Sequence, residues 1–253
     1  MQSTAKEIRA ALYNHREYHA AILAAEAAIS SGPSPEERRN LLALIAWCHY
    51  QRAEWNLAFS FATQGDPNEW AKKCEAHLRA YRAKFTDDVR LAALVAELPD
   101  DASVANALVT RARYTDCDVD AQAVLSHVHK WRETGNDINV AHLHNNAARY
   151  LHAKGWDGEA SPAVDFQAIA LLQEAIARYS VLTNWDHRAG AHYWMAILLD
   201  RQQLKASSLS ARRESVRLWE QAILHDPTNI KFERAYAQAL RDLADYINPP
   251  QKS

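Results

Sequence analysis

The fold is decided by a stretch near the start of the chain, residues 13–33, which reads Tyr13-Asn-His-Arg-Glu-Tyr-His-Ala-Ala-Ile-Leu-Ala-Ala-Glu-Ala-Ala-Ile-Ser-Ser-Gly-Pro33. It contains the end of one helix, a whole second helix and a Gly-Pro stop. Pro67 and Pro99 follow Pro33 at intervals of 34 and 32 residues, and each closes a stretch that is typical of two short helices. A period of this length indicates a stack of helical hairpins. Further hairpins are predicted to end near Gly135, Thr183 and Pro227, so the chain holds about six units.

Recurring cap signals mark where the helices begin and end. The run Ser34-Pro35-Glu36-Glu37 places a hydroxyl at the N-cap, proline at the first helical position and a carboxylate at the third, and Asp66-Pro67-Asn68-Glu69 repeats the pattern. Asp226-Pro227 is predicted to open the last helix. Left-handed helix ends are predicted at four glycines, Gly32, Gly65, Gly135 and Gly155.

Apolar residues recur at spacings of three and four, which predicts helices throughout, and no segment alternates like a strand. The predicted helices lie near 4–14, 17–30, 35–51, 54–63, 68–84, 87–97, 101–113, 118–133, 138–154, 163–179, 187–202, 211–225 and 229–246. The fold class is therefore all-α.

Composition narrows the classes of function. The chain of 253 residues has only six glycines, which disfavours a glycine-rich phosphate loop. Its 29 Lys and Arg nearly balance 31 Asp and Glu, so we expect no nucleic-acid partner and no membrane partner. Cys48, Cys74 and Cys117 form no C-x-x-C pair and are typical of free thiols. Together with an N-terminus that lacks a signal-like apolar run, they predict a cytoplasmic protein.

The residues of the first unit resemble the tetratricopeptide repeat, a 34-residue helical hairpin. Tyr13 and Tyr18 fall on its aromatic positions, Ala21 and Ala28 on its small-residue positions, and Pro33 on its closing proline. Arg9 departs from the pattern, because a small residue is usual there. The stretches 167–176 and 215–229 also resemble second helices of the repeat, with Ala175 and Ala222 on the small position and Pro227 as the closing proline.

The resemblance implies one right-handed superhelical α-solenoid over residues 1–247, built of about six hairpins. Units 2–67 and 138–228 match well, units 68–135 are degenerate, 229–246 is a capping helix, and 248–253 is a flexible tail. Small residues permit close helix crossings, a role expected of Ala21, Ala28, Ala62, Ala168, Ala175 and Ala222. Insertions at 156–164 and 204–213 are expected to be loops or lengthened helices. Trp55 and Trp219 are expected in the core.

In this family the first helices line a concave groove that binds peptides or partner helices. His142, Asn145, Arg149 and His152 recur at spacings of three, four and three, so they form one polar stripe, either groove lining or an ordinary solvated face. Tyr13 and Trp47 are predicted to add an apolar anchor, with packing of Trp47 between hairpins as the alternative. The family's carboxylate clamp is matched incompletely, because Leu44 or Trp47 stands where an Asn is required.

The sequence therefore predicts an interaction scaffold or adaptor that binds a protein or peptide partner, with no cofactor. No His, Cys or carboxylate grouping predicts a metal site, and no arrangement of nucleophile and base predicts catalytic residues. Two alternatives stay open. One is an all-α enzyme or small-ligand sensor with a pocket near the insertions 156–164 and 204–213, and the other is a subunit that builds an oligomer through its outer faces.

Overall fold

A computed structural model of the chain describes residues 3–82, 89–97, 102–114, 128–130, 137–154, 162–181 and 184–249. These residues are mostly helical and include no β-strand, which confirms the all-α prediction. The helices are α1 (Ala5–Ala11), α2 (Tyr18–Ser30), α3 (Pro35–Gln51), α4 (Trp55–Ala62), α5 (Glu69–Arg82), α6 (Val89–Glu97), α7 (Ala102–Tyr114), α8 (Asp137–Lys154), α9 (Pro162–Ser180), α10 (Trp185–Arg201), α11 (Lys205–His225) and α12 (Ile230–Ile247). Most of the predicted helix at 118–133, together with Pro99, Gly135, Gly155 and Thr183, lies outside the described residues.

Contacts divide the chain into two compact units, residues 1–116 and 117–253. In the first unit each helix from α1 to α5 packs on the next one along the chain. Contacts also join helices two apart in sequence, since α1 touches α3, α3 touches α5 and α5 touches α7. Its buried centre contains Cys74 and Leu78 of α5 against the small residues Ala46, Ala58 and Ala62.

The second unit follows the same scheme. Helices α8 to α12 pack in order along the chain, and α8 also touches α10. Tyr179 of α9 is fully buried with Ala141 of α8 and Ala175 of its own helix. Trp219 of α11 is also buried, as predicted, and its ring lies 5.9 Å from that of Phe232 in α12.

One turn geometry recurs inside three hairpins. Arg16, Ala53 and Gln203 are left-handed, with φ of 71°, 59° and 60°. In each case the left-handed N–H donates to the carbonyl three residues back, and the next N–H donates to the carbonyl five back. This is the Schellman arrangement, which satisfies the last carbonyls of a helix. Between hairpins, Gly32 and Gly65 are left-handed as predicted, with φ of 74° and 64°.

The predicted N-caps are partly wrong. Ser34 does accept a hydrogen bond from the Glu37 N–H, but the Glu37 carboxylate accepts from the Ala5 N–H instead of the cap backbone. At the other two sites the helix begins later than predicted, because an asparagine closer to the first turn caps it. Those asparagines are Asn68, which accepts from the Ala71 N–H, and Asn229, which accepts from the Lys231 N–H.

Small residues lie where helices approach closely. All six alanines assigned this role are buried, namely Ala21, Ala28, Ala62, Ala168, Ala175 and Ala222. Serine has the same role between α10 and α11, a feature that sequence reasoning missed. The fully buried Ser208 and Ser215 donate to the carbonyls of Ala196 and Ala189 at 2.9 and 2.8 Å.

The insertion at 204–213 lengthens a helix, since α11 begins at Lys205 instead of near 211. Of the insertion at 156–164, the structure describes only 162–164, in the first turn of α9. None of the helices described here has an apolar stretch long enough to cross a bilayer.

Candidate functional site

In the first unit, Tyr13 and Trp47 lie in one aromatic cluster that Trp70 joins. The Tyr13 and Trp70 rings meet edge to face with centroids 6.2 Å apart, and the Trp47 ring stacks on Trp70 at 6.2 Å and 26°. The Trp47 indole N–H donates a 3.1 Å hydrogen bond to the Trp70 carbonyl. Trp47 therefore links α3 to α5, and its polar edge is already used within the protein.

Two cations and burial set the electrostatics of this cluster. The guanidinium of Arg9, the residue that departs from the repeat pattern, lies 4.4 Å above the centre of the Trp70 ring. Such cation–π contacts are favourable even at exposed sites. Burial raises the pKa of Tyr13, although the nearby Arg16 guanidinium opposes the rise. The Tyr13 hydroxyl is therefore a neutral hydrogen-bonding group at physiological pH.

The cluster continues from Trp47 towards the surface. Tyr50 lies 5.4 Å from Trp47 and 5.7 Å from Trp55, ring centre to ring centre, and Trp55 stacks on Tyr81 at 4.7 Å. Trp55 packs on the buried centre of the unit but is itself only partly buried. Its assignment to the core is thus only half right, because it also forms part of a surface groove.

In the second unit, two residues of the predicted polar stripe converge on Trp194 of α10. The Arg149 guanidinium lies 4.8 Å from the centre of the Trp194 ring, and the His152 ring centre lies 5.4 Å from it. These residues face α10 because α8 and α10 touch along this surface. The stripe is therefore the seam between two helices, and none of its four residues is a fully solvated side chain.

A buried ion pair between Asp165 and Arg201 lies next to His152. Asp165 of α9 is 1% exposed and accepts two bonds from the Arg201 guanidinium, one of them from Nε at 2.7 Å. Arg201 Nη1 lies 3.5 Å from His152 Nδ1. Burial lowers the pKa of His152, and the Arg201 charge lowers it further against the opposing effect of Asp165. His152 therefore favours its neutral form.

His142, at the other end of the stripe, is also held within the protein. Its Nδ1 lies 2.8 Å from the hydroxyl of the buried Tyr179, and its ring centre lies 4.4 Å from that of His187. His142 therefore contacts the Tyr179 hydroxyl and the His187 ring, and we assign it a role in packing at the seam instead of a role as a donor to a ligand. No sequence pattern predicted that Tyr179 and His187 would contact His142.

Asn145 contributes a buried amide oxygen to the stripe. Its Oδ1 is buried, and it finds no hydrogen-bond donor within the described part of the chain. Buried polar groups nearly always have a partner, and leaving one without it costs about 1–3 kcal/mol. Asn145 lies one helical turn from Arg149, so the two side chains share a face. Together they offer an amide acceptor and a guanidinium donor, and the guanidinium lies against the Trp194 indole.

The same residues define what the site can do chemically. Among the described residues, no group of three or more His, Cys, Asp or Glu is placed to hold a metal ion. The pocket predicted near the two insertions stays a prediction, because residues 156–161 lie outside the described part of the chain; the second insertion is continuous helix from Lys205 onward. Polar donors, an acceptor and aromatic faces are groups that recognise peptides.

Comparison of the sequence with protein-family models and with curated proteins gives no match.

Proposed function

We propose that this chain is a helical-repeat scaffold of the tetratricopeptide type that binds a peptide segment or a partner helix. The first helices of its hairpins would form the binding surface. Asn145 and Arg149 orient the bound backbone or a carboxylate, Trp194 provides an apolar wall, and Tyr13 and Trp47 add an aromatic surface in the first unit. His142 and His152 hold the seam in shape.

Two features support the repeat architecture. Contacts between helices two apart in sequence arise when equivalent helices of successive hairpins stand side by side, as α3 does with α5 and α8 with α10. The left-handed turn at Arg16, Ala53 and Gln203 recurs inside hairpins from both units. A common turn in equivalent places is expected of repeated units.

The observation that carries the binding proposal is the buried Oδ1 of Asn145, one helical turn from Arg149, whose guanidinium lies over the Trp194 ring. An acceptor without a partner is satisfied when an N–H of a bound chain reaches it. Arg149 donates charge-assisted bonds that are about twice as strong as neutral ones, so a carboxylate or backbone carbonyl is a suitable second partner. Trp194 adds buried area at little cost in rotamer entropy.

The test is quantitative affinity capture from native lysate with the full chain as bait. Asn145→Ala and Arg149→Ala are compared with Arg213→Ala, which removes an exposed arginine of α11 outside the seam. We expect the two seam variants to lose the same protein, by about tenfold or more in affinity once it is purified, because hot-spot truncations cost at least about 2 kcal/mol. The Arg213→Ala bait retains it.

The experiment includes a check on folding. Circular dichroism and thermal unfolding of all baits establish that lost capture is not lost structure. If the seam variants, equally folded, bind every captured protein as the wild type does, Asn145 and Arg149 are not the binding site. Trp47→Leu tests the aromatic surface in the same way, since it removes the aromatic ring and keeps an apolar side chain between α3 and α5.

A further inference from the structure

A groove opens in the first unit at the turn between α3 and α4, where the end of α5 passes beside it. Its volume is about 540 Å³, which is within the range of known ligand sites. It belongs to neither the Trp194 seam nor the Tyr13–Trp47 contact. Its lining residues are Ala53, Glu54, Trp55, Asn56, Leu57, Leu78, Tyr81 and Arg82.

The walls of the groove are apolar and partly solvated. Trp55 and Tyr81 stack with ring centres 4.7 Å apart and an angle of 24° between the rings. Leu57 is 49% exposed and Tyr81 is 39% exposed, whereas Leu78 is buried. Large apolar side chains gathered in a concave surface mark an interaction site, whereas a single exposed leucine does not.

The described residues around the groove include a glutamate that is already paired and an arginine that is not paired with a carboxylate. Glu54 is occupied by its own neighbours, since its carboxylate lies 2.6 Å from His49 Nδ1 and 3.1 Å from Arg52 Nε. Arg82 donates to the neutral Asn56 Oδ1 at 3.0 Å and lies 5.3 Å from the centre of the Phe59 ring. Across the described ranges it has no carboxylate partner. Among the described residues, the rim therefore carries a positive charge on Arg82 that no carboxylate neutralises, beside an apolar pocket.

We propose that this groove binds a peptide segment that presents an aromatic or large aliphatic side chain next to a carboxylate. The apolar side chain enters between Leu57 and the Trp55–Tyr81 pair, and the carboxylate pairs with Arg82. The apolar contact contributes most of the affinity, because burying such a side chain changes affinity by tenfold or more. An exposed ion pair changes it by at most about fivefold.

Three peptides of equal length, with uncharged (acetylated and amidated) ends, test the proposal. Their central residues are Phe-Glu, Phe-Gln or Ser-Glu. Binding to the full chain is followed by NMR through the tryptophan indole N–H signals, of which the Trp55 signal is the one lost in Trp55→Phe. We expect the Phe-Glu peptide to shift the Trp55 signal and leave that of the buried Trp219 unmoved. The dissociation constant rises up to about fivefold for Phe-Gln and at least about tenfold for Ser-Glu.

Matched variants assign the effect to the groove. Leu57→Ser is compared with Leu23→Ser, which replaces a leucine of similar exposure, 54%, on α2. Arg82→Gln is compared with Arg38→Gln, an exposed arginine of α3. We expect Leu57→Ser to weaken Phe-Glu binding at least about tenfold and Arg82→Gln to abolish the preference for Phe-Glu over Phe-Gln, with both controls unchanged.

Three results would overturn the proposal. They are a Trp55 signal that does not move with the Phe-Glu peptide at millimolar concentration, equal affinity for the Phe-Glu and Ser-Glu peptides, and undiminished binding to a folded Leu57→Ser variant. Equal affinity for Phe-Glu and Phe-Gln would overturn the role of Arg82. The seam of Asn145 and Arg149 belongs to the other unit, so this test and the capture experiment fail or succeed independently.

Discussion

The indole N–H of Trp47 donates to the carbonyl of Trp70 at 3.1 Å while the two rings stack, so one residue pair joins α3 to α5 by both a polar and an aromatic contact. These helices are alternate in sequence, and contacts of this kind hold one hairpin against the next. The Trp47 side chain therefore has a structural role whether or not its faces also meet a partner.

Trp47→Phe is expected to lower the free energy of unfolding by about 1–2 kcal/mol. It removes one side-chain hydrogen bond, which contributes about 0.5–1.5 kcal/mol, and part of the stacked area. Urea denaturation followed by circular dichroism measures the change. Trp185→Phe is the control, because Trp185 stacks on His225 without a comparable indole bond in the described part of the chain, and we expect it to cost about 0.5 kcal/mol. Equal costs for the two variants would contradict the role of the Trp47 N–H.

The buried pair of Asp165 and Arg201 gives a second prediction about stability. Asp165→Asn should cost about 2–4 kcal/mol, because it leaves a guanidinium that is only 23% exposed without its countercharge. Asp200→Asn is the matched control. It breaks the Lys205–Asp200 pair, whose lysine is 60% exposed, and pairs of that kind contribute at most about 1 kcal/mol. Denaturant midpoints at constant slope measure both variants, and a cost for Asp165→Asn no larger than that of its control would contradict the prediction.

Local features of the fold were predictable from the sequence where one short-range signal dominates. The α3 helix runs over Pro35–Gln51 as predicted, because Ser34 caps it and Pro35 occupies its first position. Prediction was wrong at Asp66 and Asp226, because each competes with an asparagine two or three residues later. Both the aspartate and the asparagine can cap a helix. Tertiary packing determines which of them accepts the hydrogen bond from the first turn, and the local sequence does not specify that packing.

The candidate site was predictable in its members but not in its contacts. The spacing of Asn145 and Arg149 placed them on one face of a helix, which is a property of the helix alone. Trp194 approaches that face from a helix far along the chain. Likewise, His142 meets Tyr179 across 37 residues. Such pairs depend on how the helices rotate against each other, and no pattern within one helix specifies that rotation.

Glycine replacements should change stability in opposite directions at two kinds of position. Gly32→Ala and Gly65→Ala are expected to destabilise the protein by about 0.5–1.5 kcal/mol, since a left-handed backbone costs a residue with a Cβ about 1–2 kcal/mol and the stiffer unfolded chain offsets part of that. An added Cβ meets no atom within 4 Å at either site, so the cost is conformational and not steric.

Gly190→Ala is expected to raise the free energy of unfolding, the opposite of the effect at Gly32 and Gly65. Gly190 lies within α10, and an added Cβ there also has open space, so we expect a gain of about 0.5–1 kcal/mol from the better helix former. Thermal unfolding of the three variants side by side measures the signs. A Gly32→Ala variant as stable as the wild type would show that the left-handed turn after α2 relaxes at no cost.

The last prediction concerns pH. Burial lowers the pKa of His152 and of His192 below the ordinary value of 6.5, with the charges of Arg201 and Arg149 adding to the effect at His152, and those of Arg188 and Arg217 at His192. The carboxylates of Asp165 and Glu214 oppose it without reversing it. As the pH falls below about 6.5, the unfolded chain binds protons at these residues before the folded chain does. The contribution of these two histidines to the free energy of unfolding is therefore present above that pH and is lost as the pH falls through the folded pKa values.

Each histidine contributes a slope of at most about 1.4 kcal/mol per pH unit. Urea denaturation at intervals from pH 8 to 5.5 measures that slope. We expect His152→Gln to flatten it, because the variant removes a buried imidazole that binds a proton on unfolding. His19→Gln, which removes an exposed imidazole of α2, is the control for the loss of a histidine as such. If the His152→Gln variant keeps the full slope, the buried seam beside Arg201 is not what makes the stability depend on pH.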